Sequence, residues 1–186
     1  MSISNPNHSN SQKLPGITIV TPANIPELVT DNIIQCVYDG ESAQAFNEAM
    51  KTYKSDVYCF MPLHSIMLSP VALIADIFAT YEKFQFINCI YTDNVFKDQI
   101  QYLSSLNPAT MIHNGIIPET PLFVRNPQPF KEQIKTLCCY EMLLRLAATT
   151  VTYHLPKIAF KVNNVCLRPT QLQIAQELRI IYEQSH

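Results

Sequence analysis

At 186 residues the chain is long enough to bury one real core, and its 47% hydrophobic, 15% charged composition is that of a globular protein with an under-charged surface. A formal net charge of −2 argues against a broad nucleic-acid footprint, and no basic run, basic amphipathic helix or membrane-length apolar stretch occurs. Sparse surface charge points instead to a face covered by a protein partner or by another copy of the chain.

Residues 1–14 are rich in Ser, Asn and Gln; alone they favour disorder, and they carry no apolar signal region. They are read as a polar tail ahead of one domain spanning 15–186, and the tail is expected to belong to a protein interface. Gly16 to Pro22 reads as a buried strand stopped by proline. Asn32 to Tyr38 reads as a second strand, ending at the turn signal Asp39-Gly40. Ala43, Phe46, Met50 and Tyr53 recur at helical spacing, predicting a helix over 41–53. Asp56 to Met61 predicts a strand, followed by a loop. Ser69-Pro70 then predicts a helix start, serine as the N-cap and proline in the first turn. That helix carries Leu73, Ile74, Ile77, Phe78 and Tyr81 on one face. Phe86 to Tyr91 is the next apolar strand, closed by Thr92, Asp93 and Asn94. Residues 107–129 are rich in proline and asparagine, with a short strand at Leu122–Arg125. A helix is predicted over 131–148, strands over 151–154 and 158–162, and a last helix from Arg168–Thr170 to 184 with Ile174, Leu178 and Ile181 inward. Strands alternating with helices predict an α/β sheet sandwiched between helices.

The six cysteines form no closely spaced pair of the metal-binding kind, and Cys36, Cys59 and Cys89 sit in apolar runs, so buried reduced thiols are expected. Reduced thiols imply a reducing compartment: a cytoplasm, or a particle assembled in one. His64, His113 and His154 have no short ligand spacing, so each reads as a satisfied or exposed histidine, and neither a metal nor a cofactor is expected. Cys138 and Cys139 are adjacent on a helix and point about 100° apart, so at most one is expected to be buried. Three glycines in the whole chain leave no glycine-rich phosphate loop.

Several segments, in order, carry a resemblance. The asparagine-bearing stretch Phe46–Met50, then Ser55–Phe60, then Leu68–Leu73 with its proline resemble the centre of family-2-like glycosyltransferases of the GT-A type. There an asparagine helix feeds a strand, a metal-binding turn and a proline-opened helix. Ile90–Asp93 resembles the strand that follows in one branch. Pro121–Arg125 and Tyr140–Ala147, with Arg145, resemble the acceptor-side strand and catalytic helix, and Tyr153–Phe160 the strand after it. The resemblance covers about residues 33–162 and implies a reduced GT-A-like (nucleotide-diphospho-sugar transferase-like) sheet with helices on both faces. It further implies nucleotide- or sugar-binding roles for Asp39, Asn47, His64, Arg145 and His154. Asp39 would be the acid contacting uracil or ribose, although Asp39-Gly40 also reads as a tight turn. His154 falls where some such enzymes place a late metal ligand.

The departures from that pattern are chemical. A GT-A transferase holds a divalent cation on two carboxylates to neutralise the leaving diphosphate. Those positions fall near Leu63, His64 and Ser65, and no acid occurs between Asp56 and Asp76. The base that takes the acceptor's proton would stand near Cys138-Cys139. Glu141 is turned away from it by helical geometry and reads as a solvated acid, while Arg145 is expected to pair with a carboxylate inside the fold. The opening strand–helix–strand lobe is pared down to residues 17–40. Three functional classes follow: a catalytically inactive, glycosyltransferase-like structural or interaction subunit of a larger assembly, such as a virus particle; a carbohydrate- or nucleotide-binding module without turnover; and an active transferase using a nucleotide sugar. The missing carboxylates favour the first, with a nucleotide sugar the less favoured partner.

Overall fold

The computed structural model describes residues 16–40, 42–63, 65–96, 98–103, 120–162 and 171–184. The polar tail 1–14, His64, His113, Cys166 and the helix start at Arg168–Thr170 lie outside them.

The described chain is a mixed α/β structure. Its strands are β1 (Ile17–Thr21), β2 (Ile33–Val37), β3 (Val57–Phe60), β4 (Ser65–Met67), β5 (Cys89–Phe96), β6 (Gln99–Gln101), β7 (Leu122–Val124) and β8 (Thr152–Val162). They form one sheet in the order β2-β1-β3-β7-β5-β8-β4, with β6 paired to β5. Strands β1, β2 and β3 run parallel, as do β5 and β8; β7 is inserted antiparallel between β3 and β5, so the two parallel groups point the same way. Every residue of β1 and β3 is buried. That is why both read as unbroken apolar runs rather than alternating ones: they are covered on both faces.

Alternation along these strands sorts the core into two layers. Val20, Tyr58 and Phe60 face α1 (Ser42–Thr52) and α3 (Cys138–Thr149), where Phe46, Phe130, Met142 and Leu143 join them. Ile17, Ile19, Val57 and Cys59 face the other way, onto Leu73, Ile77 and Tyr81 of α2 (Pro70–Lys83). Helix α4 (Gln171–Gln184) adds Ile181 to the first layer. Helices on both faces of a mixed sheet are as the sequence predicts.

Local departures have physical causes. Thr92, Asp93 and Asn94 do not close β5; they lie inside it, because pairing with β8 on one side overrides their turn preference, and the register slips at these three residues. The chain turns later, after Phe96, where Asp98 takes a φ of 59° before β6. The two strands expected over 151–162 are one 11-residue strand. Pro156, which has no N–H to donate, falls where the β5–β8 register skips from Leu155 to Ile158. The loop expected before Ser69 holds β4, paired antiparallel to β8. Pro70 does open α2, but Ser69 has φ 47° and ψ 59° and makes no side-chain cap bond. Helix α3 begins at Cys138 rather than 131, and both cysteines at its start are 3% exposed. The expectation that only one would be buried fails because the sheet covers one side of α3 while Leu178, Ile180 and Ile181 of α4 pack in the same layer. Among the cysteines, Cys59 and Cys89 are buried and free, whereas Cys36, on edge strand β2, is only half-buried.

Candidate functional site

Residues singled out in the sequence fall into two polar clusters on the α1–α3 face, and the difference between them is how their hydrogen bonds are used.

The first is a clasp around residues 128–132. Asn47, on the inward face of α1, accepts from the Phe130 backbone N–H at 2.7 Å through Oδ1 and donates through Nδ2 to the Phe130 carbonyl at 3.0 Å and to Glu132 Oε1 at 3.1 Å. Arg145 of α3 donates through Nε and Nη2 to the two carboxylate oxygens of Glu141, each at 3.1 Å, one helical turn back. Its remaining donors reach Gln128 Oε1 and the Pro129 carbonyl, both at 3.0 Å. Lys131 Nζ stands 2.9 Å from Glu141 Oε1. Glu141 is therefore a buried, doubly paired carboxylate and not the solvated acid its spacing implies, because α3 has no solvent face over its first two turns. The expected internal partner of Arg145 is Glu141. Asn47 and Arg145 thus meet the same loop, Asn47 through a paired contact on the Phe130 backbone and Arg145 through charge-assisted bonds to Gln128 and Pro129.

Beside the clasp lies a contact that the sequence reading missed. Glu177 of α4 accepts from three consecutive backbone N–H groups, those of Lys135, Thr136 and Leu137, at 2.9 to 3.1 Å. It anchors α4 to the segment entering α3. The signal was present: Glu177 stands four residues before inward-facing Ile181, on the stripe otherwise read as apolar.

The second cluster lies midway along β5 and near the amino end of β8, level with the carboxyl end of β3, the edge at which open α/β sheets bind ligands. The register pairs His154 with Tyr91, and the Tyr91 and His154 rings lie 5.3 Å apart. Two residues along from Tyr91, Asp93 Oδ1 stands 2.8 Å from His154 Nε2 and accepts from the Leu103 backbone N–H at 2.7 Å. Thr120, just ahead of β7, donates toward the Thr92 carbonyl at 3.4 Å and Asn94 Oδ1 at 3.5 Å, both long. Among the described residues, the buried Thr92 Oγ1 and Asn94 Nδ2 have no hydrogen-bond partner. Orphaned buried donors cost stability and call for a reason. The slipped register here is where local sequence preference and fold disagree, as they do at functional sites.

Asp39, exposed after β2, belongs to neither cluster; it precedes Gly40, whose φ of 109° makes the tight turn. Its neighbour Tyr38 donates to the Met61 carbonyl at 2.9 Å, tying the ends of β2 and β3 together. His64 lies outside the described residues. The structure therefore brings Asn47 and Arg145 together, pairs His154 with Asp93 and leaves Asp39 apart.

The divalent cation implied by the resemblance does not fit the described residues where its ligands would stand. Leu63 packs against the core, and the Ser65 hydroxyl is turned to the Pro62 carbonyl at 2.6 Å. Among the described residues no three His, Cys, Asp or Glu side chains gather as a metal site, and no helix is long and apolar enough to cross a membrane. No family model matches the chain, and no curated protein does.

Proposed function

We propose that the chain is a glycosyltransferase-like protein of reduced GT-A type that has lost metal-dependent sugar transfer and serves as a structural or interaction subunit of a larger assembly. The order α1, β3, a turn, the proline-opened α2, β5, β7, α3, β8 runs as that resemblance implies once the short strands β4 and β6 are set aside, which supports the fold part of the reading. The functional part rests on one observation: apolar or internally bonded side chains stand where both sets of carboxylates are needed. Leu63 and Ser65 replace the cation ligands, buried Cys138 and Cys139 the base, and the nearest acid, Glu141, is held by Lys131 and Arg145. Without charge stabilisation of the leaving diphosphate, the largest contribution to such catalysis is absent. Calorimetry with manganese and a panel of nucleotide sugars tests this. No metal-linked binding is expected; micromolar, manganese-dependent binding of any sugar nucleotide overturns the reading. The interaction part has its own test: removing residues 1–14 should leave a folded protein of lower assembly state by light scattering, and an unchanged mass and partner binding would refute it.

A second reading draws on the Asp93–His154 pair. A buried carboxylate orienting an imidazole is the arrangement of a general base, which a metal-free transferase would use on the acceptor hydroxyl. Turnover of a nucleotide sugar that His154→Ala abolishes would favour it; the first reading expects turnover in neither protein.

A further inference from the structure

Opposite the carboxyl edge, at the amino ends of β1 and β3, the surface is hollowed. A depression of about 790 Å³ is lined by Asp31, Asn32, Lys54 and Asn126. It shares a floor of Met50 and Pro127 with a second depression of about 500 Å³ that runs on toward the clasp. Both volumes fall in the range of small-molecule sites. What distinguishes this hollow is the state of its polar groups. In the clasp every named side chain makes at least one internal bond; here Asp31, Asn32, Lys54 and Asn126 make no side-chain hydrogen bond or ion pair with another described residue. Asp56, also in the wall, offers one carboxylate oxygen to the Gly16 N–H at 2.9 Å and keeps the other. Asn126 is held at φ 49°, a left-handed backbone uncommon outside glycine, on the turn leaving β7.

We infer that this hollow binds a neutral saccharide residue. The set of groups selects it. Each sugar hydroxyl both donates and accepts, so a ring with neighbouring hydroxyls can give hydrogen bonds to Asp31 and Asp56 while taking them from the Lys54 ammonium and the two carboxamides. Its C–H face has Met50 and Pro127 to lie against. A phosphorylated ligand is disfavoured, because two carboxylates face one lysine. A flat base is disfavoured too, because the aromatic ring in the wall, Tyr58, is buried and offers no stacking face. The inference does not depend on the glycosyltransferase reading: Asp39, Asn47, Arg145 and His154 do not line the hollow, and Asn47, in the wall of the adjoining depression, is bonded to the Phe130 backbone and Glu132.

Saturation-transfer NMR on the full chain, with glucose, galactose, mannose, N-acetylglucosamine and their disaccharides at millimolar concentration, tests it. At least one neutral sugar should receive saturation from the protein. Asp31→Ala and Lys54→Ala should each weaken that sugar about tenfold, the worth of one lost charge-assisted hydrogen bond. Asn126→Gly keeps the left-handed backbone accessible and removes only the exposed amide, so it reads out the site even if the other variants fold poorly; it too should weaken binding. Asp98→Asn, on the exposed turn before β6 and outside the hollow, should leave binding unchanged. Failure of every sugar to bind overturns the inference. So does binding that survives Asn126→Gly but is lost in Asp98→Asn, or that inorganic phosphate displaces.

Discussion

Two buried asparagines of this protein, Asn47 and Asn94, are 7% and 0% exposed, yet they do opposite things. Asn47 uses both ends of its amide on the Phe130 backbone and a third contact on Glu132. Among the described residues, Asn94 has only a long contact to Thr120 on its oxygen and nothing on its nitrogen. The same contrast separates the two clusters they belong to. Around residues 128–132 a carboxylate, a guanidinium, an ammonium and an amide are mutually satisfied, which is how buried polar groups rigidify a fold. At β5 and β8 the polar groups are only partly satisfied, which costs stability and is kept where it serves something else. Burial alone therefore does not tell a structural polar residue from a functional one; the use of its hydrogen-bonding capacity does.

The comparison can be broken by mutation. Its largest expected effect is Arg145→Met, which leaves Glu141 buried with Lys131 alone; chemical denaturation should show a loss of about 3 kcal/mol, and a loss below about 1 kcal/mol would mean that the clasp is ornamental. Next, the same substitution at the two asparagines should act in opposite directions. Asn47→Leu strands the buried Phe130 N–H and should destabilise by about 2 kcal/mol. Asn94→Leu removes an orphaned amide and should stabilise by about 1 kcal/mol. Two losses of similar size would show that the β5 cluster is as structural as the clasp.

Smaller effects sharpen the picture of the core between the clusters. Burial pushes the Cys59 and Cys89 thiols above their ordinary value of 9.0, and the Tyr38 and Tyr81 hydroxyls above 10.0. The folded protein thus keeps protons that the unfolded chain releases. Their contribution is fully present below pH 9.0 and is lost as the pH rises past 9.0 and then 10.0. The denaturation midpoint should fall across that window; a flat profile would contradict the burial of these groups. Cys36 is also raised by burial, though a hydrogen bond to Tyr53 opposes the shift and the residue is half-buried. Native thiol labelling should therefore modify Cys36 well before Cys59 or Cys89.

Much of this was legible before folding was considered. Apolar runs at Ile17–Val20 and Val57–Phe60 announce strands covered on both faces. The spacing of Leu73, Ile74, Ile77 and Tyr81 announces the buried face of α2, and Pro70 its start. These features are local: hydrophobic period and a proline's fixed φ act over a few residues. The absence of any acid between Asp56 and Asp76 likewise needs no coordinates. What only the tertiary structure decided is non-local. Thr92, Asp93 and Asn94 have turn preferences, and became strand because β8, about sixty residues later in the chain, supplies hydrogen bonds that outweigh them. Glu141 looked solvated on a helical wheel and is buried because Lys131 and Arg145 converge on it while the sheet and α4 enclose α3. The role of Glu177 depends on three amides that appear in its path only once α4 docks. In each case the side chain's surroundings come from parts of the chain far away in sequence, and no window along the sequence contains the partner that sets the outcome.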